Sequence, residues 1–164
     1  MEHDAYLLLG TNLGNRTALL ELAIAYLNEA AGTVSDQSSI YESAAWGKQD
    51  QPDYLNQVVK LTTPHTPLQL LSITQGIEQK MGRERHGKWE PRLIDIDILL
   101  YANQTVQHPA LQIPHPHLPN RRFALIPLQE IAPKLVHPGL QQTITEILAC
   151  TPDELGVKCY KTRK

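Results

Sequence analysis

Two aspartates one residue apart, Asp95-Ile96-Asp97, sit within residues 93–101 (LIDIDILLY), the clearest alternating apolar–polar run in the chain. A strand's period of two puts both carboxylates on one face, ~6–7 Å apart, with Ile94, Ile96 and Ile98 on the other. Leu93 and Leu99 flank the pair on its own face, so that face is not freely solvated. At an effective dielectric of ~20, two negative charges at this spacing repel by roughly 2.5 kcal/mol. Aspartate is also disfavoured in strands. Two readings compete: the polar face of a half-buried strand meeting water, the usual fate of such a pair, or a site for a divalent cation. Magnesium suits hard carboxylate oxygens and typically takes one or two of them together with substrate phosphates.

Immediately before this strand, residues 82–92 (GRERHGKWEPR) carry four Lys/Arg side chains in eleven positions, with Gly82 and Gly87 as hinge candidates. A charged, solvated loop is the plain reading. A cationic loop feeding a paired-carboxylate strand also places Arg83, Arg85 and Arg92 beside a metal site. That combination suits polyphosphate, whose charge metal and guanidinium groups neutralise together. Trp89 either covers a base or packs, and both readings stand.

A second polar cluster joins Pro114-His115-Pro116-His117 to Asn120-Arg121. Zinc is not expected there, because no further Cys or His lies at a ligand spacing. Asn12 and Gly14 follow the first strand without the lysine of a phosphate-binding loop, so residues 10–15 read as a turn and helix cap. Tyr54 and Asn56 share one strand face, a ring beside an amide that can pair with a heterocycle. Phe123, the sole phenylalanine, follows an arginine pair. Taken singly, all three are more often packing residues than binding ones.

The elements that must position these groups follow from local patterns. Residues 5–10 (AYLLLG) read as a buried strand, and Asn15 as the cap of a helix that Gly32 ends in a left-handed conformation. Residues 33–46 read as a strand plus a loop, and 54–62 as a strand with Leu55, Val59 and Leu61 on one side. Thr66-Pro67-Leu68-Gln69 is a capping box with proline at the first helical position, followed by the stripe Leu70, Ile73, Ile77 and Met81 up to Gly82. Four prolines between 109 and 119 exclude a central strand or helix there. Short C-terminal helices are expected over 123–131, interrupted at Pro127, and from the capping box Thr143-Ile144-Thr145-Glu146. The order β-α-β-β-α-β plus C-terminal helices predicts an α+β ferredoxin-like sandwich, a mainly antiparallel sheet with flanking helices.

At 164 residues the chain has room for one compact domain spanning 1–164, large enough to need no disulfide or structural metal. The net charge of −2 argues against a nucleic-acid or membrane-surface binder. Two cysteines, Cys150 and Cys159, with no paired spacing favour a reducing compartment without excluding one bond. The start Met1-Glu2-His3-Asp4 has the wrong charge for a signal peptide, and no apolar run approaches the ~20 residues of a membrane span. The expectation is a cytoplasmic protein.

Several segments in order then carry a resemblance: Gly10-Thr11-Asn12-Leu13-Gly14; Asp50-Gln51-Pro52-Asp53-Tyr54-Leu55-Asn56; Gly82-Arg83-x-Arg85; Trp89-x-Pro91-Arg92-x-Ile94-Asp95-Ile96-Asp97-Ile98; and Pro114-His115 with Asn120-Arg121-x-Phe123. Over nearly its whole length the sequence resembles the 6-hydroxymethyl-7,8-dihydropterin pyrophosphokinase family. The resemblance implies a monomer of ferredoxin-like fold acting in folate synthesis, moving pyrophosphate from ATP to a hydroxymethyl-dihydropterin and releasing AMP. By the same resemblance Asp95 and Asp97 hold two magnesium ions, and Tyr54 and Phe123 sandwich the pterin. Asn56 with Ser43, Ala44, Ala45 and Trp46 contacts its polar edge. Gln75, Glu78, Arg85, Trp89, Ile98, His115 and Arg121 match positions that hold ATP, and Arg83 and Arg92 match residues that assist catalysis.

The sequence departs from some members where Ser43-Ala44-Ala45 replaces a Thr-Pro-Pro run, Pro116 an aromatic and Ala110 a basic residue, so one or two ATP contacts are expected to differ. The rival readings are a metal-dependent phosphoanhydride hydrolase, which leaves Tyr54, Asn56 and Phe123 idle, and a ferredoxin-like RNA-binding or regulatory domain. The second is opposed by a 5% aromatic content and the negative net charge.

Overall fold

The computed structural model describes residues 1–44, 53–82 and 93–163. Strand β1 (His3–Thr11) is buried from Ala5 onward because it runs through the interior of the sheet, between two partners. Its neighbours are β5 (Asp95–Tyr101) on one side and β4 (Tyr54–Thr63) on the other, both antiparallel. Beyond β4 come β2 (Thr33–Gln37) against its far half and β3 (Ile40–Ser43) against its near half, with β8 (Val157–Lys161) completing the edge. This is the ferredoxin-like arrangement expected, with β2 and β3 together acting as its second strand and β8 added outside it.

Period-two alternation sends the two faces of β1 into different cores. Leu7 and Leu9 pack with Leu20, Ala23 and Leu27 of α1 (Arg16–Ala30) and with Leu70 and Ile77 of α2 (Pro67–Met81). Tyr6 and Leu8 face Ala124, Leu125 and Leu128 of α3 (Arg122–Ile131) and Ile144 and Ile147 of α4 (Ile144–Cys150). Strands β1, β4 and β5 are thus covered on both sides, while β2 and β8 are largely exposed.

The helix starts follow the sequence signals. Asn15 Oδ1 accepts the Ala18 N–H at 3.2 Å, and reciprocal capping boxes form at Thr66/Gln69 and Thr143/Glu146. Gly32 follows α1 for a different reason from the one anticipated. Its φ of 157° is far from the left-handed helical value, and a Cβ there would stand 2.2 Å from the Thr62 carbonyl oxygen. Close approach of two backbones, rather than helix termination, excludes a side chain at this position.

Other expectations are corrected. The stretch 33–46 contains two strands, not one, because Ser38 interrupts the ladder: its N–H donates to Val58 O and its Oγ accepts the Val58 N–H. The proline-rich stretch holds no central strand or α-helix, as expected, but it does hold a separate hairpin, β6 (Val106–His108) and β7 (Leu111–Ile113), with Pro109 and Ala110 in its turn, and a 3-10 turn (Leu118–Asn120). Helix α3 is not interrupted at Pro127; the ring is buried, and proline removes only the donor that would meet the Phe123 carbonyl. β8 was not anticipated. Cys150 and Cys159 are both free thiols.

Before α4, the His137 ring accepts the Gly139 and Leu140 N–H groups at Nδ1, at 3.1 and 3.0 Å. Burial lowers its pKa below the ordinary 6.5, partly opposed by a bond with its own backbone. The neutral ring is therefore favoured in the fold. This stabilisation is complete above pH 6.5 and is lost as the pH falls from there towards the lowered folded-state value. Thermal melts should show that loss in the wild type and a flatter pH dependence in His137→Gln; equal slopes would exclude the link. Gly32→Ala should cost about 2 kcal/mol or more in chemical denaturation, because the backbone must shift to admit the methyl group.

Candidate active site

The register of three strands assembles the site. On β5, Asp95 lies opposite Gly10, and Asp97 opposite Leu8; on the other side of β1, Gly10 lies opposite Asn56 and Leu8 opposite Val58. Directly paired residues share a face, so Asp95, Asp97, Tyr54 and Asn56 all look towards the α3 layer. Ile94, Ile96 and Ile98 are buried on the opposite side, as the alternation predicted. Asp95 and Asp97 are each half-buried. Leu93 precedes the strand, its carbonyl held by the Thr11 hydroxyl.

With strands ~4.8 Å apart, Asp95 and Asn56 are separated by about 10 Å across Gly10. Glycine keeps that gap flat: a Cβ at Gly10 would come 3.3 Å from Asn56 Oδ1, a tight contact, and 3.8 Å from the Tyr54 ring, an ordinary one. The result is a floor with carboxylates at one end and a ring and an amide at the other. Asn56 donates through Nδ2 to Ser43 Oγ at 2.9 Å, which leaves its carbonyl oxygen on the Gly10 side. Burial, and then the charge of Asp95, pushes the Tyr54 phenol above its usual pKa, so the ring stays neutral.

Above the floor stands the first turn of α3. Phe123 is packed at the edge of the α3-side core, and the Arg121 guanidinium lies 5.6 Å from its ring centroid. Arg121 provides no side-chain cap; the Asp153 carboxylate accepts the Arg122 N–H at 2.7 Å and supplies the negative charge a helix start favours. Thr151 Oγ1 donates to Pro119 O, tying the same C-terminal segment to the turn that carries Arg121. At the other end of α3, Glu130 accepts from Ser39 N, Ser39 Oγ and Tyr41 Oη at 2.7, 2.7 and 3.0 Å. Burial and that bond push the Tyr41 phenol up to about 12, so it remains a donor.

The outer edge of β5 carries the remaining residues. Glu78, from α2, accepts the Ile96 N–H at 2.7 Å, and the His115 N–H donates to Leu99 O at 2.9 Å. Leu99 is a bulge, which turns both Leu99 and Leu100 to the α3 side before Tyr101 returns to the other core. The His115 pKa is lowered chiefly by burial, which outweighs the Asp97 charge. Its Nδ1 accepts the His117 N–H, so the neutral ring carries its proton on Nε2. Ile98 can serve a ligand only through its main chain, since its side chain is in the α1/α2 core. Gln75 is exposed on α2, one turn before Glu78.

The structure thus brings together Asp95, Asp97, Tyr54, Asn56 and Ser43, with His115, Arg121 and Phe123 above them, while Gln75, Glu78 and Ile98 border the β5 edge. Ala44 follows β3 directly. Ala45, Trp46, Arg83, Arg85, Trp89 and Arg92 lie outside the described residues. Gly10, which the sequence reads as part of a turn, lies within β1 between Asn56 and Asp95, a placement that only its cross-strand neighbours show. Among the described residues no three His, Cys, Asp or Glu side chains form a metal cluster. Two carboxylates on one face fit magnesium, which completes its shell with phosphate oxygens and water, better than zinc.

The sequence profile of 7,8-dihydro-6-hydroxymethylpterin-pyrophosphokinase (HPPK) matches residues 6–133. A Bacillus subtilis protein named 2-amino-4-hydroxy-6-hydroxymethyldihydropteridine pyrophosphokinase is 39% identical over 164 residues, covering 99% of this chain and 93% of that one. Its Haemophilus influenzae namesake is 42% identical over 155 residues, covering 94% and 96%. The Schizosaccharomyces pombe folic acid synthesis protein fol1 is 38% identical over 159 residues, and the match covers 96% of this chain but 22% of that longer protein. Among solved structures, a Plasmodium falciparum HPPK-DHPS chain shares the fold with a TM-score of 0.76 at 20% identity, covering 91% of this chain and 44% of that one. On these matches and this site, the chain belongs to the 7,8-dihydro-6-hydroxymethylpterin-pyrophosphokinase family.

Proposed function

We propose that this chain transfers the pyrophosphoryl group of ATP to the hydroxymethyl oxygen of 6-hydroxymethyl-7,8-dihydropterin, releasing AMP in folate biosynthesis. The observation that carries the reading is the flat floor at Gly10, with Asp95 and Asp97 at one end and Tyr54 and Asn56 at the other. A planar heterocycle fits the ring-and-amide end, and a polyphosphate with its cations fits the carboxylate end. A hydrolase needs only the second half.

Two magnesium ions, when bound by Asp95 and Asp97, supply the positive charge that polyphosphate transfer requires. The chain's own groups do the rest. Tyr54 and Phe123 take the two faces of the pterin, while the Asn56 amide, braced by Ser43, meets its polar edge with Ala44, Ala45 and Trp46. His115 stays neutral and offers Nε2–H as a donor, and Arg121 offers a fixed cation, both suited to phosphate oxygens. Gln75, Glu78 and the Ile98 main chain border the β5 edge, where the rest of the nucleotide lies; Arg85 and Trp89 complete that set. The hydroxymethyl oxygen attacks the β-phosphorus and releases its proton to solvent, the bond from β-phosphorus to the α,β-bridging oxygen breaks, and AMP departs with that oxygen. Arg83 and Arg92 balance the charge that builds on the transferred and leaving groups. Holding both substrates on one sheet face removes much of the entropic barrier, and no covalent enzyme intermediate is required.

The same reading takes the 164 residues as a single domain that works as a monomer in the cytoplasm. No described helix is long and apolar enough to cross a membrane. Chromatography of the reaction products should show AMP and no ADP; ADP would indicate simple phosphoryl transfer. ATP turnover should require the pterin, whereas turnover without it would favour hydrolysis. Asp97→Ala should lower kcat by roughly 10²-fold or more while leaving the fold intact, the scale for losing a preorganised electrostatic contact. Near-normal turnover in that variant would remove Asp97 from the site.

A further inference from the structure

The pterin end of the site stands on the last pairs of a short ladder. Strand β3 meets β4 through only Tyr41–Asn56, Glu42–Leu55 and Ser43–Tyr54, and Ser43–Tyr54 is the terminal pair. Ladder ends open most easily, so the Tyr54 ring and the Ser43–Asn56 bond sit where the sheet is least secured. On the other side of the sheet one cation spans that end. Arg16 Nη1 donates to Glu42 Oε2 at 2.9 Å and to the Asp53 carbonyl at 2.8 Å. Glu42 precedes Ser43 and Asp53 precedes Tyr54, so the guanidinium joins the two strand ends beside the two residues that matter. Its carbon also lies 5.4 Å from the Tyr160 ring centroid on β8, which pairs with β3.

Nothing local accounts for an arginine here. Arg16 is the first residue of α1, and a cation at a helix N-terminus opposes the helix dipole. No acidic residue in the first turn compensates it. The Arg16–Glu42 pair is partly buried, with side-chain exposures of 24% and 20%, so water weakens it less than it would a surface pair. A residue placed against its helix's preference, and held by a carboxylate and a carbonyl from two other strands, is held for tertiary reasons.

We infer that Arg16 is a positioning residue for the heterocycle: by bracing Glu42 to Asp53 it fixes the Tyr54 ring and the Ser43–Asn56 amide for pterin binding. This rests on the reading of Tyr54 and Asn56 as the pterin end. Arg16 lies on the opposite face of the sheet and does not touch substrate. Among the described residues its contacts are Glu42, Asp53 and Tyr160, all beside the pterin end, so the effect expected is selective between the two substrates.

Isothermal titration of the full chain with 6-hydroxymethyl-7,8-dihydropterin, and separately with a magnesium complex of a non-hydrolysable ATP analogue, tests this. Arg16→Met should weaken pterin binding about tenfold, the scale of one charge-assisted hydrogen bond, while the nucleotide Kd stays within about twofold. Steady-state kinetics should show the same split, as a raised KM for the pterin and an unchanged KM for ATP. Glu42→Gln keeps the bond to Asp53 and should give a smaller loss of the same kind, which provides a second reading should Arg16→Met fail to fold. Equal weakening of both ligands would make Arg16 a general stabiliser, and unchanged pterin binding would remove its role; either result overturns the inference. Failure of the wild-type chain to bind the pterin at all would instead overturn the assignment of Tyr54 and Asn56.

Discussion

Antiparallel pairing of β5, β1 and β4 in one register is the constraint on which the site depends. Because side chains alternate with a period of two, a slip of one residue in β5 would send Asp95 and Asp97 into the α1/α2 core and bring Ile96 and Ile98 to the site. Burying two carboxylates without partners would cost far more than the slip could recover. The apolar residues on either side therefore hold the chemistry in place: Leu7, Leu9, Ile96 and Ile98 can be buried together only in the register that faces both aspartates the other way. Gly10 takes its meaning from the same register, since it is the residue standing between Asp95 and Asn56.

The two sides of the sheet divide the work. Helices α1 and α2 cover the side that carries most of the packing residues, with Glu78 reaching round to the β5 edge and Arg16 pairing with Glu42. Helices α3 and α4 cover the other side, with Ala124, Leu125, Leu128, Ile144 and Ile147 packed against Tyr6, Leu8 and Val58. What sets the height of α3 above that floor is polar. Asp153 holds its first turn, and Glu130 anchors its last turn to Ser39 and Tyr41 on the second half of the sheet. Such charge-assisted bonds are directional, so they fix the orientation of Phe123 and Arg121 in a way that apolar contact alone does not.

The C-terminal residues take part in both arrangements. β8 extends the sheet beyond β3, and Arg163 donates from its main chain to Ser39 Oγ while its side chain pairs with Glu130. The segment before β8 supplies Asp153 and Thr151 to the start of α3 and to the turn before it. A part of the chain with no catalytic residue of its own thus secures both ends of the helix that closes the site.

Local signals made much of this protein legible in advance. Period-two alternation placed Asp95 and Asp97 on one face, the capping boxes at Thr66 and Thr143 marked two helix starts, and the motif Pro91-Arg92-x-x-Asp95-x-Asp97 carried the family. These depend on residues within a few positions of one another, whose geometry the backbone dictates directly. Other features depend on partners far along the chain. Gly32 lacks a side chain because of Thr62, Gly10 stands close against Asn56 and Tyr54, and Ser38 breaks a strand because of Val58. β8 is too short and polar to announce itself, and becomes a strand only because the β3 edge offers it hydrogen-bond partners. The sequence by itself determined which residues have the chemistry for metal, phosphate and heterocycle. Only the tertiary structure decided how far apart they stand and what braces them, because strand register and cross-sheet contacts are set by the burial of the whole core rather than by any one segment.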